Sequence, residues 1–341
     1  MKVAPVLSID WLQLNLKTPP TMEVNYHLFY QVKTQNFSTR HFSVVEEIYR
    51  DGKRIATVTR KPLSNIISPD TVLVKFDNWV LYSTDLFDYV QEFITLNGFV
   101  FKSISRIDLC TDFQTFNNGM VPSNFIKNYL NGKYLRLGKT SISNAHFRQV
   151  DTDLYFNALK FGSNLSDVST YLYNKTLEMN SVKWKPWIAK KWMDAGLNAS
   201  IDTWRLEVSI KSSNKIVCNT DTGEMNILNS LDVLKNDYCK VFFGAFRERY
   251  FSFVIKDQQV KKNRMTKLPL FSNSFSNYKI VDGEKMLAAG RSDKIFIKKL
   301  EQVNQELRGQ NFNFNIDIDK LKREYIGITG LEMWAQYKGL T

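Results

Sequence analysis

Three segments alternate charged or phenolic residues with apolar ones at a spacing of two, a period that fits a strand and not a helix. In "SRIDLCTDF" (105–113), Ile107, Leu109 and Thr111 take one face, and Arg106, Asp108, Cys110 and Asp112 the other. In "TWRLEVSIK" (203–211), Trp204, Leu206 and Val208 oppose Arg205, Glu207 and Ser209. In "STYLYNKTLE" (169–178), read as a strand, Leu172 and Asn174 oppose Tyr171, Tyr173 and Lys175. Each segment can bury one face in a core while the other carries polar groups. Taken singly, each also reads as a solvated sheet face with weak internal ion pairs.

The rest of the chain supplies partners for such strands. Further strands are expected at "SIDWLQLNLK" (8–17), with Leu12, Leu14 and Leu16 on one face, at "TVLVKFDN" (71–78) and at "LYFNALKFG" (154–162). Helices are expected at "STDLFDYVQEFITLNG" (83–98), capped by Thr84 or Asp85 and ended by Gly98, and at "VPSNFIKNYLNG" (121–132). "EMNILNSLDVLKN" (224–236) and "YCKVFFGAFRERYF" (238–251) read as helical, and "VKWKPWIAKKWMDAG" (182–196) as a hairpin excursion or short helix. The basic, then Pro- and Ser/Asn-containing stretch 256–277 reads as a linker or domain boundary. Beyond it, "SDKIFIKKLEQVNQELRG" (292–309), capped by Ser292, "DIDKLKREY" and "GLEMWAQYKG" read as helices. The expected class is α+β: a mostly antiparallel central sheet with flanking helices in residues 1–255, and a smaller helical region in 278–341 for DNA recognition or dimerisation.

A formal net charge of +12 over 341 residues favours an anionic partner, nucleic acid ahead of a membrane surface. No apolar run approaches the roughly 18 residues of a membrane span. The N-terminus lacks a signal-peptide core, so a cytoplasmic protein is expected. Cys110, Cys218 and Cys239 are odd in number and widely spaced, which fits a reducing compartment and no thiolate zinc site. His27, His41 and His146 are isolated, against histidine-based nucleases and zinc proteases. No GxxxxGK[ST] occurs, so the chain brings no P-loop motor, and no GxSxG occurs.

The polar faces of the three segments carry complementary chemistry. Asp108 and Asp112, with a small residue between them, and Glu207 offer hard oxygen donors suited to Mg²⁺ or Mn²⁺. Tyrosine can act as a covalent nucleophile, but its reference pKa near 10 calls for a nearby cation to favour the phenolate. Lys175 lies two residues from Tyr173, and a divalent ion would do the same while polarising a phosphoryl oxygen. Together these are the parts of a metal-dependent tyrosine nuclease.

The order of "SRIDLCTDF", "LKFGSNLSDVSTYLYNKTLEM" and "TWRLEVSIK" resembles the Rep-trans replication initiators and their relaxase relatives, over roughly residues 100–212 and back to "IDWLQLNL". The resemblance implies that Tyr173, directly before "NK", attacks a DNA phosphodiester, and that Asp108 and Glu207 bind the metal. Asp112 takes a metal-binding or supporting role, and Lys175 a phosphate-clamping one. Cys110 stands where the family commonly has a small aliphatic residue. The implied activity is site-specific nicking and rejoining of DNA, leaving a 5′-phosphotyrosine link and a free 3′-hydroxyl for rolling-circle replication. A conjugative relaxase with the same chemistry and a non-catalytic origin-binding initiator are the alternatives. The implied partners are an origin with an inverted repeat (single-stranded or cruciform at the nick), a host helicase and polymerase, and a second copy of the chain.

Two stretches add candidate DNA contacts. "VKWKPWIAKKW" interleaves Lys183, Lys185, Lys190 and Lys191 with Trp184, Trp187 and Trp192, mixing cations for phosphates with rings for bases. The same segment would also serve as an amphipathic element with its tryptophans on the sheet. Lys261, Lys262 and Arg264 in the basic stretch "KKNRMTK", and Arg205 beside the acidic strand, complete the candidate set. Tyr250 in "RERY" reads as structural.

Overall fold

A computed structural model describes residues 4–18, 24, 26–137, 142–150, 153–163, 166–211, 215–272 and 275–282. The chain divides into two compact units, Met1–Ser213 with Asn229–Phe275, and Asn214–Leu228 with Ser276–Thr341. The architecture is α+β, and the described strands pair antiparallel throughout.

The first unit is built on a ten-stranded sheet. Its strands are β1 (Val6–Lys17), β2 (Gln31–Thr34), β3 (Phe42–Arg50), β4 (Lys53–Pro62), β5 (Thr71–Phe76) and then, after helix α1 (Leu86–Leu96), β6 (Val100–Phe113). Helix α2 (Pro122–Leu130) and the short β7 (Tyr134–Arg136) follow. The sheet continues with β8 (Ile142–Val150), β9 (Asp153–Phe161) and β10 (Val168–Asn174). Helices α3 (Lys175–Ser181) and α4 (Pro186–Asp194) then lead into β11 (Trp204–Ile210). The spatial order β2-β3-β4-β5-β1-β6-β11-β10-β9-β8 places β1, β6, β11 and β10 side by side in the middle.

The period-two pattern explains the core. Leu12, Leu14 and Leu16 of β1, Ile107 and Leu109 of β6, Leu206 and Val208 of β11 and Leu172 of β10 are all buried. Each such side chain contributes about 1.5–3 kcal/mol of hydrophobic stabilisation. Phe93 of α1 packs edge-on against Phe76 of β5 at 5.4 Å. Phe125 of α2, Phe161 of β9, and Phe251 and Phe253 form an aromatic cluster on the same side of the sheet. The opposite side is free to gather polar groups over its central strands.

One hairpin escaped the sequence reading. β3 and β4 are joined by Asp51 and Gly52, both at positive φ (52° and 72°), the two-residue turn whose twist matches paired strands. Other expectations need correction. Residues 224–236 are not a helix. Met225–Ile227 form strand β13, and Leu231–Leu234 a single 3-10 turn capped by the Ser230 side chain. The 238–251 helix is present as α5 (Asn236–Tyr250), where Tyr250 stacks on Phe246. Residues 256–272 are not a free linker. After β14 (Phe253–Ile255) pairs with β7, the chain buries Leu268 and Leu270, sets Phe271 against Phe113 and Phe116, and accepts a bond from Asn117 N at Leu270 O. Those apolar residues pack it within the first unit, to which it belongs.

In the second unit, β12 (Lys215–Asn219) pairs with β13 on one side and β15 (Tyr278–Asp282) on the other. The helices expected at 292–309 and beyond, and most of the 278–341 region, lie outside the described residues. Among the described residues, no helix is long and apolar enough to cross a membrane.

Candidate active site

Register sets the three segments side by side. Across β6, β11 and β10, Asp112 lies beside Arg205 and Arg205 beside Tyr173, while Cys110 lies beside Glu207 and Glu207 beside Tyr171. The polar faces thus form one continuous surface, with residues distant in sequence set strand to strand. The structure ends β10 at Asn174, so Lys175 is not a strand residue. Asn174 caps α3, its Oδ1 accepting from Leu177 N at 2.9 Å. Lys175 begins the helix, yet its side chain turns back over the strand face.

Tyr173 is the hub. Its hydroxyl donates to Glu207 Oε2 at 3.3 Å and accepts from Lys175 Nζ at 3.3 Å. Lys175 is 1% exposed and also ion-paired to Glu178 at 2.8 Å. Tyr171 stacks on Tyr173 with ring centroids 4.6 Å apart. Tyr173 is buried while Tyr171 and Glu207 keep partial access to solvent, so an incoming group meets Tyr171 and Glu207 first.

The electrostatics favour neutral groups at the centre. Burial, then repulsion from Asp108 and Asp10, pushes the Glu207 carboxyl up to about 8. Burial also raises Asp108, against the pull of Arg106, which grips it through two bonds of 3.0 and 2.6 Å. Burial first, and then Glu207, holds the Tyr173 phenol well above its ordinary value. A phenol so placed is a weak nucleophile until positive charge arrives.

Asp10 is a site residue that the sequence reading missed. It is the extra residue of a β-bulge in β1, between Ile9 opposite Leu109 and Trp11 opposite Asp108. Strict alternation would give Asp10 the same face as Leu12, inside the core; the bulge turns it to the polar side. The signal was an acid at a core-parity position in an otherwise alternating strand. Arg205 pairs with Asp10, and Asn78 Nδ2 and Tyr82 Oη donate to Asp10 Oδ1, each at 3.0 Å. Burial alone would raise Asp10, but Arg205, Lys175 and Lys185 hold it well below the usual carboxylate range.

Arg205 does not reach solvent. It is fully buried, with Nε and Nη2 each 2.7 Å from Asp112 and Nη2 2.8 Å from Tyr82 Oη. Its expected contact with DNA is therefore corrected: the guanidinium is spent on joining β1, β6 and β11. Trp192 Nε1 donates to Asp112 Oδ2 at 2.7 Å. Both carboxylate oxygens of Asp112 are thus taken up by Arg205 and Trp192.

Among the described residues, no group of three or more His, Cys, Asp and Glu side chains is arranged to hold a metal ion. Asp10, Asp108 and Glu207 are the carboxylates that act on one another here, both Asp108 oxygens being held by Arg106, and Asp108 with Glu207 is the pair expected to take one. A hard divalent cation that keeps several waters needs only one or two carboxylates, so this donor set fits Mg²⁺ or Mn²⁺.

The basic segment proves to be helix α4, with Lys183 and Trp184 just before it. Ile188 and Trp192 pack with Val6, Met179 and Leu197, while Lys183, Trp184 and Lys190 are exposed and Lys185, Trp187 and Lys191 are half-buried. Lys191 Nζ lies 5.4 Å from the centre of the Tyr82 ring. Lys261, Lys262 and Arg264 lie on a 3-10 turn after β14, away in sequence from the three site strands.

No family model and no curated protein matches the chain. Among solved structures, it is similar to a rolling circle replication initiator protein from Geobacillus stearothermophilus, with 12% sequence identity and a TM-score of 0.46, over 78% of this chain and 93% of that one.

Proposed function

We propose that the protein is a metal-dependent tyrosine nickase that initiates rolling-circle replication. The observation carrying this reading is the Tyr173 hydroxyl held within 3.3 Å of both Glu207 and Lys175, on a face shared with Asp108. Tyr173 Oη attacks the scissile phosphorus and passes its proton to Glu207 in the ionised form that Lys175 and Arg205 favour, while the bond to the 3′ oxygen breaks and that oxygen takes up a proton from water. The products are a 5′-phosphotyrosine and a free 3′-hydroxyl. The covalent link conserves the phosphodiester energy, so the strand is rejoined without ATP. Lys175 offsets charge on the phosphoryl oxygens. Asp108 and Glu207 would hold Mg²⁺ or Mn²⁺, which would supply charge neutralisation at the phosphate. Arg106 orients Asp108, while Arg205 fixes Asp10 and Asp112.

Tyrosine attack on an exposed phosphate suits single-stranded or cruciform DNA beside an inverted repeat. With no P-loop motif in the sequence, strand separation falls to a host helicase, and a host polymerase extends the 3′ end. A homodimer and a cytoplasmic setting belong to the same reading. The test uses a supercoiled plasmid carrying the DNA that flanks the gene. Wild-type protein with Mg²⁺ or Mn²⁺ converts it to nicked circles, Tyr173→Phe abolishes this, and Tyr171→Phe retains it. Nicking that survives Tyr173→Phe but is lost in Tyr171→Phe moves the nucleophile to Tyr171. No nicking with either metal on the cognate DNA supports an origin-binding role instead.

A further inference from the structure

A groove of about 700 Å³ opens between the β3–β4 hairpin and α4, within the size range of ligand sites. Its walls include Tyr49, Lys53 and Arg54 from the hairpin, Trp79 after β5, and Trp187 and Lys190 from α4. The hairpin half of this wall is not part of the basic segment read from the sequence.

Both indoles are fixed in place. Trp79 Nε1 donates to Arg54 O at 2.7 Å, and Trp187 Nε1 to Asn78 Oδ1 at 2.8 Å. Rings held this way offer their faces without further ordering cost. Arg54 is neutralised by Glu47 and Asp77 at 2.7 and 2.9 Å. Lys53 is exposed, with Nζ 5.8 Å from the Trp79 ring centre. Lys190 pairs with Asp194 at 3.2 Å with both side chains exposed, which holds it weakly. The groove therefore combines fixed aromatic faces with two available cations.

It also adjoins the candidate active site. Asn78 accepts from Trp187 and donates to Asp10 O at 2.9 Å, so one amide separates the groove wall from the catalytic face. We propose that the groove holds an unpaired stretch of DNA next to the scissile phosphate, its bases stacked on Trp79 and Trp187 and its phosphates met by Lys53 and Lys190. A duplex hides its base faces within its own stack, whereas single strands present them to aromatic side chains. This inference rests on the nickase reading.

The test is fluorescence anisotropy with a fluorescein-labelled oligothymidylate of about 12 nucleotides, in EDTA so that no cleavage occurs. Trp79→Ala is expected to weaken binding about 5- to 150-fold, the loss of one stacked base, while Trp79→Phe retains most of it. Lys53→Glu is expected to weaken binding and to flatten the dependence of log K on log salt by about 0.7, one single-strand phosphate. Wild-type affinity in folded Trp79→Ala overturns the proposal, as does a duplex of equal length that binds as tightly as the single strand. If Trp79→Ala loses its fold by circular dichroism, unchanged affinity and salt slope in Lys53→Glu overturn it alone. Protein that binds through Trp79 yet never nicks cognate DNA refutes the nickase reading and leaves the groove standing. Protein that nicks while Trp79→Ala binds normally refutes the groove alone.

Discussion

At Glu207, stability and activity pull in opposite directions. Its carboxyl is raised by burial and by the neighbouring Asp108 and Asp10, so in the absence of a divalent ion its charge costs stability. Glu207→Gln keeps the shape and removes that charge. Its thermal midpoint in EDTA is expected to rise, on the order of 2 °C, while nicking is lost. A lower midpoint would show that the carboxylate is already well compensated. Arg205 is the opposite case, a buried cation between two acids. Arg205→Met leaves Asp10 and Asp112 facing each other unpaired, and urea denaturation is expected to register a loss of about 3–5 kcal/mol. A loss below about 1 kcal/mol would mean that the pair contributes little. The same residues show what a sequence conveys at this scale. The polar faces of 105–113 and 203–211 were legible because period two needs no knowledge of neighbours. Arg205's burial was not, because it depends on Asp10 of a strand some 195 residues away. Asp10 was hidden in turn by a bulge that shifts its face.

Among the elements, the junction of β10 and α3 decides what surrounds the Tyr173 hydroxyl. Asn174 ends the strand and caps the helix, with its Nδ2 also 2.7 Å from Asp202. Lys175 is thereby launched from a helical position back toward Tyr173, which a strand-only reading of the segment placed differently. Asn174→Ala is expected to cost about 1 kcal/mol in chemical denaturation through the lost cap, and to slow nicking by more than that loss of fold explains. Unchanged nicking would separate the Lys175 position from the cap. The β3–β4 hairpin was missed although its Asp51-Gly52 turn is a short-range signal, and residues 224–236 were misassigned because a run of apolar and Asn residues fits either period. The true strand there is specified by pairing with β12, which lies outside the segment.

For the whole molecule, the formal charge of +12 suits an anionic partner, and the proposed reading assigns the finding of DNA to that charge and its cleavage to a divalent ion. Binding to cognate DNA is expected to weaken steeply with salt, by about 0.7–0.9 in log K per log salt for each phosphate met. EDTA is expected to abolish nicking while leaving anisotropy-detected binding in place. Binding that vanishes with EDTA would mean that the ion holds the DNA and does more than assist the chemistry.

The central claim, that Tyr173 is the nucleophile, is tested most directly by trapping the covalent intermediate. Protein is incubated with Mn²⁺ and a single strand spanning the nick site, then digested with nuclease and protease and sequenced by tandem mass spectrometry. The account predicts a peptide from 168–178 carrying a nucleotide on Tyr173. The modification on Tyr171 or on Tyr250, or a cleaved strand with no protein attached, would contradict it.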